Sequence, residues 1–301
     1  MNNKLQTNKA FTLIELVVAI AILVLVTSFA GAVFRVSIDS HRTGLANAEI
    51  MQKLRAITDQ FNRDFKGIRR DAPMAIQFRR DGDTRRDSIV FFANGDFQSI
   101  RQYWYSGSSG PALRTVVGNV ASIYYGPASD PNILARKQKI LTSDSLLIDT
   151  PALGDPNEFL IDSLAEWRVD INDVSFGAWV VDAPRVDLYL YLEEDLPLYM
   201  TDGVANFMIQ IGEWDQVNQT FIWLPDNSVF DFVGDPDSDG NGVFGFFYNV
   251  PASDELVQQL NDWYDESANW PRAIRFTFTL YDSRGIIENG RTFTHIVYLG
   301  D

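Results

Sequence analysis

The chain of 301 residues contains no cysteine. Disulfide staples, thiolate metal sites and a cysteine nucleophile are therefore excluded. An oxidising compartment is not, because a chain of this length can bury a core without staples. Histidine occurs only twice, at His41 and His295, and no HExxH pattern or glycine-rich phosphate loop is present. Gly107-Ser108-Ser109-Gly110-Pro111 lacks the glycine spacing of a nucleophile elbow. Glu193-Glu194-Asp195 reads as solvated charge rather than a catalytic acid pair. Together these argue that the protein is not an enzyme. Positive charge is scarce: 25 basic against 40 acidic residues gives a net charge of −15, which argues against nucleic acid as a partner. No lysine follows Lys139. Residues 1–139 carry a net charge of +8 and residues 140–301 a net of −23, so the two halves present opposite signs. The bland explanation is an acidic surface that keeps an exported domain soluble. What is plentiful is apolar: 46% of the residues are hydrophobic and 13% aromatic, enough for a packed core.

The longest apolar run goes from Phe11 to Phe34, with Thr12, Glu15, Thr27 and Ser28 as its polar content. As a helix rising 1.5 Å per residue it would span roughly 36 Å, enough to cross a bilayer with some tilt. Lys4 and Lys9 precede it and no acidic residue does, which leaves Met1–Lys9 in the cytoplasm and the bulk of the chain outside. A secretory signal that is cut away has a shorter apolar core and then a small-residue cleavage site. Here the run passes directly into a helical pattern, although Ala30-Gly31-Ala32 offers small residues. Glu15 is the informative residue: a carboxylate four residues into an apolar span costs several kcal/mol unless it finds a partner. Lying near the cytoplasmic face, it could instead reach the headgroups.

Lys9-Ala10-Phe11-Thr12-Leu13-Ile14-Glu15-Leu16 resembles the prepilin-type cleavage and methylation motif of type IV pilins and type II secretion pseudopilins. The resemblance implies cleavage between Ala10 and Phe11 by a prepilin peptidase, N-methylation of Phe11, and a mature protein in which Glu15 meets the terminal amine of a neighbouring subunit. That pairing has a physical basis, because two charges stranded in hydrocarbon are far less costly together than apart. The family usually has glycine before the cut, and this chain has Ala10.

Beyond Phe34 the chain becomes polar but keeps helical spacing. Ile50, Leu54, Ile57, Phe61, Phe65 and Ile68 form an amphipathic stripe, while Gly67 and Pro73 end the pattern. One helix is expected from about residue 11 to 68, with Gly31 and Gly44 as points of bending or close packing. Period-two patterns follow. Ser88–Ala93, Gln98–Tyr105 and Thr115–Tyr125 look extended. Val186 to Leu192 and Phe207 to Ile211 alternate. Ile274, Phe276, Phe278 and Leu280 face one way, with Arg275, Thr277, Thr279 and Tyr281 on the other. Asp282-Ser283-Arg284-Gly285 reads as a turn, Thr292–Leu299 as the returning strand, and Ser253–Asp265 as a short helix. The expected organisation is a leader at 1–10, a transmembrane part at 11–34, an amphipathic extension at 35–70 and a globular domain at 71–301. The fold class is α+β, a long N-terminal helix whose first half spans a membrane, packed on a mainly antiparallel sheet in a pilin-like arrangement.

The C-terminal order of strand, Gly212-Glu213-Trp214, Phe221-Ile222-Trp223, short helix, then Trp270-Pro271-Arg272-Ala273-Ile274-Arg275 entering a terminal strand, is similar to J-type minor pseudopilins of type II secretion. Met51-Gln52-Lys53-Leu54-Arg55 through Phe65 also resembles that group, whereas 127–165 and 225–250 look like additions to it. The resemblance implies a structural subunit in the tip complex of a pseudopilus, anchored singly in the inner membrane with its domain in the periplasm and partnered by other minor and major pseudopilins. Two other readings stay open: a minor pilin of a type IV pilus or DNA-uptake system, and a membrane-anchored, calcium-dependent binding module.

The strongest metal signal is Asp235-Pro236-Asp237-Ser238-Asp239-Gly240-Asn241-Gly242. Alternate carboxylates with a glycine turn match the first half of an EF-hand-type loop. Side-chain oxygens from Asp235, Asp237 and Asp239 and the carbonyl of Asn241 would then bind calcium. Phe246 stands where the bidentate glutamate belongs, so Asp226, Asp231 or water would have to complete the shell. An ion-free acidic turn is the competing reading. Arg69-Arg70, Arg79-Arg80 and Arg85-Arg86 interleave with Asp71, Asp81, Asp83 and Asp87 and read as a solvated, self-neutralised loop rather than a grip on an acidic neighbour. The seven tryptophans read as core anchors or interface hot spots before a sugar-binding face.

Overall fold

The structure is a computed structural model. It describes residues 12–72, 74–81, 84–107, 110–128, 130, 132–144, 147, 158–161, 199–215, 219–224, 243–248 and 270–300. Helix α1 is Leu13–Lys66, 54 residues, or roughly 81 Å at 1.5 Å per residue. Thr12 caps its start. Inside the apolar run the hydroxyls of Thr27 and Ser28 donate to the carbonyls of Leu23 and Val24, each at 2.7 Å, so neither needs water. Residues 12–45 are exposed along their whole length, and Ala46 is the first buried residue. From there Ile50, Ile57, Phe61 and Phe65 are buried, while Leu54 and Ile68 of the expected stripe are partly buried against the same core.

The helix stops at a collision. The Asn94 N–H donates to the Gly67 carbonyl at 2.7 Å, and a Cβ on Gly67 would lie 1.9 Å from the Asn94 carbonyl oxygen. Gly67 sits at φ −97°, so its lack of a side chain serves close approach rather than an unusual backbone angle.

Among the described residues the strands are β1 (Met74–Asp81), β2 (Thr84–Arg85), β3 (Ser88–Gly107), β4 (Gly110–Pro127), β5 (Leu134–Thr142), β6 (Phe159–Ile161), β7 (Tyr199–Thr201), β8 (Val204–Asp215), β9 (Thr220–Leu224), β10 (Val243–Tyr248), β11 (Ala273–Leu280) and β12 (Arg291–Tyr298). They form two sheets. The first runs β10-β1-β3-β4-β5-β6, with β2 on β1 and β7 on β5; the second runs β12-β11-β8-β9. Only β5–β6 is parallel among these pairs. The α+β, mainly antiparallel reading therefore holds. The segments expected at Ser88–Ala93 and Gln98–Tyr105 are one strand, β3, interrupted by register shifts at Asn94/Phe97 and Gln98/Gln102. Ile274, Phe276, Phe278 and Leu280 are fully buried on β11, and β12 returns after the turn at Gly285, φ +64°. The expected strand at 186–192 and short helix at 253–265 lie outside the described residues.

The core is built of phenylalanine. Phe61 of α1 lies 4.8 Å from Tyr125 of the first sheet and 4.4 Å from Phe276 of the second, while Phe65 stacks on Phe91 at 4.2 Å. One helix face thus closes both sheets. Trp104, Trp214, Trp223 and Trp270 lie among the described residues and none is buried, so these four are not the anchors of this core. Trp270 packs only at its margin.

The sheets are also joined through the arginine-rich segment, where the expectation of a solvated loop fails. Asp87 is fully buried. It pairs with Arg85 at 2.5 Å and accepts from the Ile209 N–H at 2.7 Å, while the Arg85 N–H donates to the Asn206 side chain at 3.2 Å. Self-neutralisation is real, but the pair lies between β2 and β8, and a buried carboxylate needs such partners. Arg69 and Asp71 form a pair at 2.5 Å that fits the sequence reading better, with the aspartate half exposed.

The N-terminal arm as a candidate assembly interface

Thr12 and Glu15 form a capping box. The Glu15 carboxylate accepts from the Thr12 N–H at 3.0 Å and from its hydroxyl at 2.9 Å, and the Glu15 N–H donates to Thr12 Oγ1 at 3.3 Å. Within a single chain, Glu15 thus answers its stranded charge through the helix start, where unpaired N–H groups favour an anion. Next to it, Leu13, Ile14, Leu16, Val17, Val18 and their successors leave more than half of their surface bare as far as Phe34. The helix α1 is long and apolar enough to cross a membrane. Residues 12–45 would reach roughly 50 Å beyond the first buried turn. Some 30 Å of that would suffice for the hydrocarbon core of a bilayer.

An arm of that length transmits force or position only if its base is fixed. The base is held by polar contacts that the hydrophobic pattern did not reveal. Asp64, buried on the helix face, accepts two hydrogen bonds from the Arg136 guanidinium, one from Gln60 at 3.1 Å and one from the Tyr125 hydroxyl. Burial, and then the Asp64 charge, raise the Tyr125 phenol well above its usual range. Burial works against the charge of Arg136, yet the Asp64 carboxylate holds its pKa above the usual value. The acid next to Phe65 at the end of the buried stripe was the sequence signal, but its mate lies 72 residues away.

Higher on the helix, Lys53 bridges Glu49 at 3.1 Å and Asp202 at 2.9 Å, and donates to the Tyr281 carbonyl at 3.2 Å. Burial opposes the Lys53 charge, but the two carboxylates keep its pKa above the ordinary value. Glu49 in turn accepts from the Ser283 N–H at 2.9 Å. The helix is therefore tied to the β7–β8 and β11–β12 turns. His295 of β12 lies 3.0 Å from the Asn62 side chain, and burial lowers its pKa. It is a strand-face residue, and His41 is exposed on the arm.

Ala10 and Phe11, the expected processing site, lie outside the described residues, as do Asp235, Asp237, Asp239 and Asn241 of the expected calcium loop. Among the described residues no cluster of three or more metal-ligating side chains occurs.

Compared with known proteins, the chain matches the prokaryotic N-terminal methylation motif over residues 5–31. No curated protein and no solved structure matches it. The motif, set on a helix able to cross a membrane and followed by an antiparallel domain, supports a type IV pilin-like protein that is processed by a prepilin peptidase and assembles with other pilin-type subunits.

Proposed function

We propose that the protein is a minor pseudopilin of J type: a structural subunit in the tip complex of a type II secretion pseudopilus. A prepilin peptidase cuts between Ala10 and Phe11 and methylates the new Phe11 amine. Before assembly the protein is a single-pass inner-membrane protein with its domain in the periplasm, the orientation favoured by Lys4 and Lys9. On assembly the Phe11 amine of a subunit reaches the Glu15 carboxylate of its neighbour. Both charges then leave lipid together, and the apolar arm exchanges hydrocarbon for the equally apolar arms of other subunits.

The observation that carries this reading is the methylation motif at 5–31, on an arm exposed from Thr12 to Leu45. An arm that stays exposed over this length, among the described residues, has its surface free for lipid and for neighbours. The J-type and secretion-specific parts rest on the resemblance of the C-terminal strands and tryptophans. Mass spectrometry of the mature protein tests the core of the reading: the expected first residue is N-methylated Phe11. A native chain still beginning at Met1, or trimmed near Ala32, would sink it. Co-purification with the other minor pseudopilins of a secretion operon, against those of a pilus operon, tests the finer assignment.

The loop from Asp235 to Asn241 is proposed as a weak calcium site on its sequence pattern alone. The expected result is a higher unfolding midpoint at millimolar calcium, and an unchanged midpoint removes the site.

A further inference from the structure

The outer face of the second sheet carries an aromatic cluster around one arginine. Register places Tyr298, Ala273, Gly212 and Trp223 in a row across β12, β11, β8 and β9. The next pair on this face toward the tip of the β8–β9 hairpin is Trp214 with Phe221. The rings of Trp223 and Phe221 lie over Gly212, where a Cβ would come within 2.9 Å and 3.1 Å of them. Phe221 sits centrally, 5.2 Å from Trp214, 5.6 Å from Trp223 and 6.1 Å from Tyr298. Trp214 and Tyr298 nevertheless remain 40% and 67% exposed. Such a cluster at the end of a sheet is of the composition that protein interfaces favour.

Arg275 makes this face selective. Its guanidinium lies 4.4 Å from the ring centre of Trp223, and its Nε and Nη2 donate to the Gln210 side-chain oxygen at 2.9 Å and 2.6 Å. Gln210, on β8, is buried beneath that contact. No carboxylate among the described residues pairs with Arg275. Burial lowers its pKa with nothing to offset it. This is a half-buried cation, held in place at the margin of an apolar patch and without a carboxylate partner among the described residues. An isolated cation in such a place gains from one carboxylate, and Nη1 takes part in neither bond to Gln210.

We propose that this face docks a segment of another protein that presents one Asp or Glu side chain to Arg275 and neighbouring apolar side chains to Trp214, Phe221 and Tyr298. A saccharide is the weaker occupant. Arg275 already covers Trp223, and Phe221 is enclosed by three other rings, so of the four rings only Trp214 and Tyr298 keep much open surface, and neither has the cation beside it as Trp223 does. The site does not depend on the filament reading and would stand if that reading failed.

The test uses the full chain in detergent, panned against phage-displayed random linear peptides. Enriched sequences are expected to carry Asp or Glu beside aromatic or aliphatic residues. A synthetic copy of the best should bind roughly tenfold more weakly to Arg275→Gln and to Tyr298→Ser, and lose a similar factor when its own acid is changed to the amide. Arg284→Gln, on the exposed β11–β12 turn, should leave binding unchanged. Tyr298→Ser and the change in the peptide's acid decide the matter even if Arg275→Gln unfolds. The proposal is overturned if no peptide is enriched, if enriched peptides lack an acid, if Arg284→Gln weakens binding as much as Arg275→Gln, or if a panel of uronic-acid glycans binds in their place.

Discussion

Asp64, in the last turn of the long helix, and Arg136, on β5, form a two-pronged ion pair with N–O distances of 2.6 Å and 3.0 Å. The aspartate is 3% exposed. The pair bolts the base of an arm of more than thirty residues to the first sheet, and with Tyr125 and Gln60 it forms a closed polar network within a phenylalanine core. Breaking such a pair from one side leaves a buried charge without a mate. Arg136→Met should therefore lower the stability of the detergent-solubilised protein by roughly 3–5 kcal/mol in urea unfolding, and the double change Asp64→Leu/Arg136→Met by clearly less. Equal losses would show that the pair is incidental.

Tyr125 gives the same network an alkaline limb. Burial and the Asp64 charge raise its pKa in the folded state, so the folded protein holds the phenol proton longer than the unfolded chain does. This contribution is complete below the ordinary tyrosine pKa of about 10 and is lost as pH rises above it toward the folded value. Tyr125→Phe should flatten the fall in stability above that pH, as read from unfolding midpoints. A mutant curve parallel to that of the wild type would contradict the network.

Asp282 provides the acid limb. Its carboxylate accepts from the N–H groups of Ile286, Ile287 and Arg284, and these bonds hold its pKa below the ordinary value. Stability from this turn is present above the ordinary aspartate pKa of about 3.9 and disappears as pH falls through the lower folded value. Asp282→Asn should be less stable than wild type near neutrality, and the difference should shrink at low pH. A constant difference at all pH values would argue against it.

Gly67→Ala should be among the most damaging small substitutions, because the added methyl would overlap the Asn94 carbonyl. Moving backbone rather than a side chain is needed to relieve it, for a loss of about 1–3 kcal/mol or more. Thermal unfolding checks this, with Gly44→Ala, which meets nothing, as the harmless comparison.

Glu15→Val should leave membrane insertion intact, since it removes the single acid of an apolar run. Assembly into filaments or tip complexes should be impaired. Cross-linking in membranes measures both, and normal incorporation of the variant would end the pairing mechanism.

The residues 11–34 run, the Glu15 anomaly and the stripe from Ile50 to Phe65 determined the long helix without help from the fold, because a span of lipid and a 3.6-residue period are local properties of a chain. The same holds for the alternation from Ile274 to Leu280. The partners of charged residues were decided elsewhere. Asp87 looked solvated and is enclosed by a strand more than a hundred residues away; Asp64 of the helix finds its mate in Arg136 of β5, and Gln210 of β8 lies under Arg275 of β11. Local periodicity sets which face of an element is apolar, whereas burial of charge depends on contacts made only when distant segments meet, and no window of sequence contains both sides of such a contact.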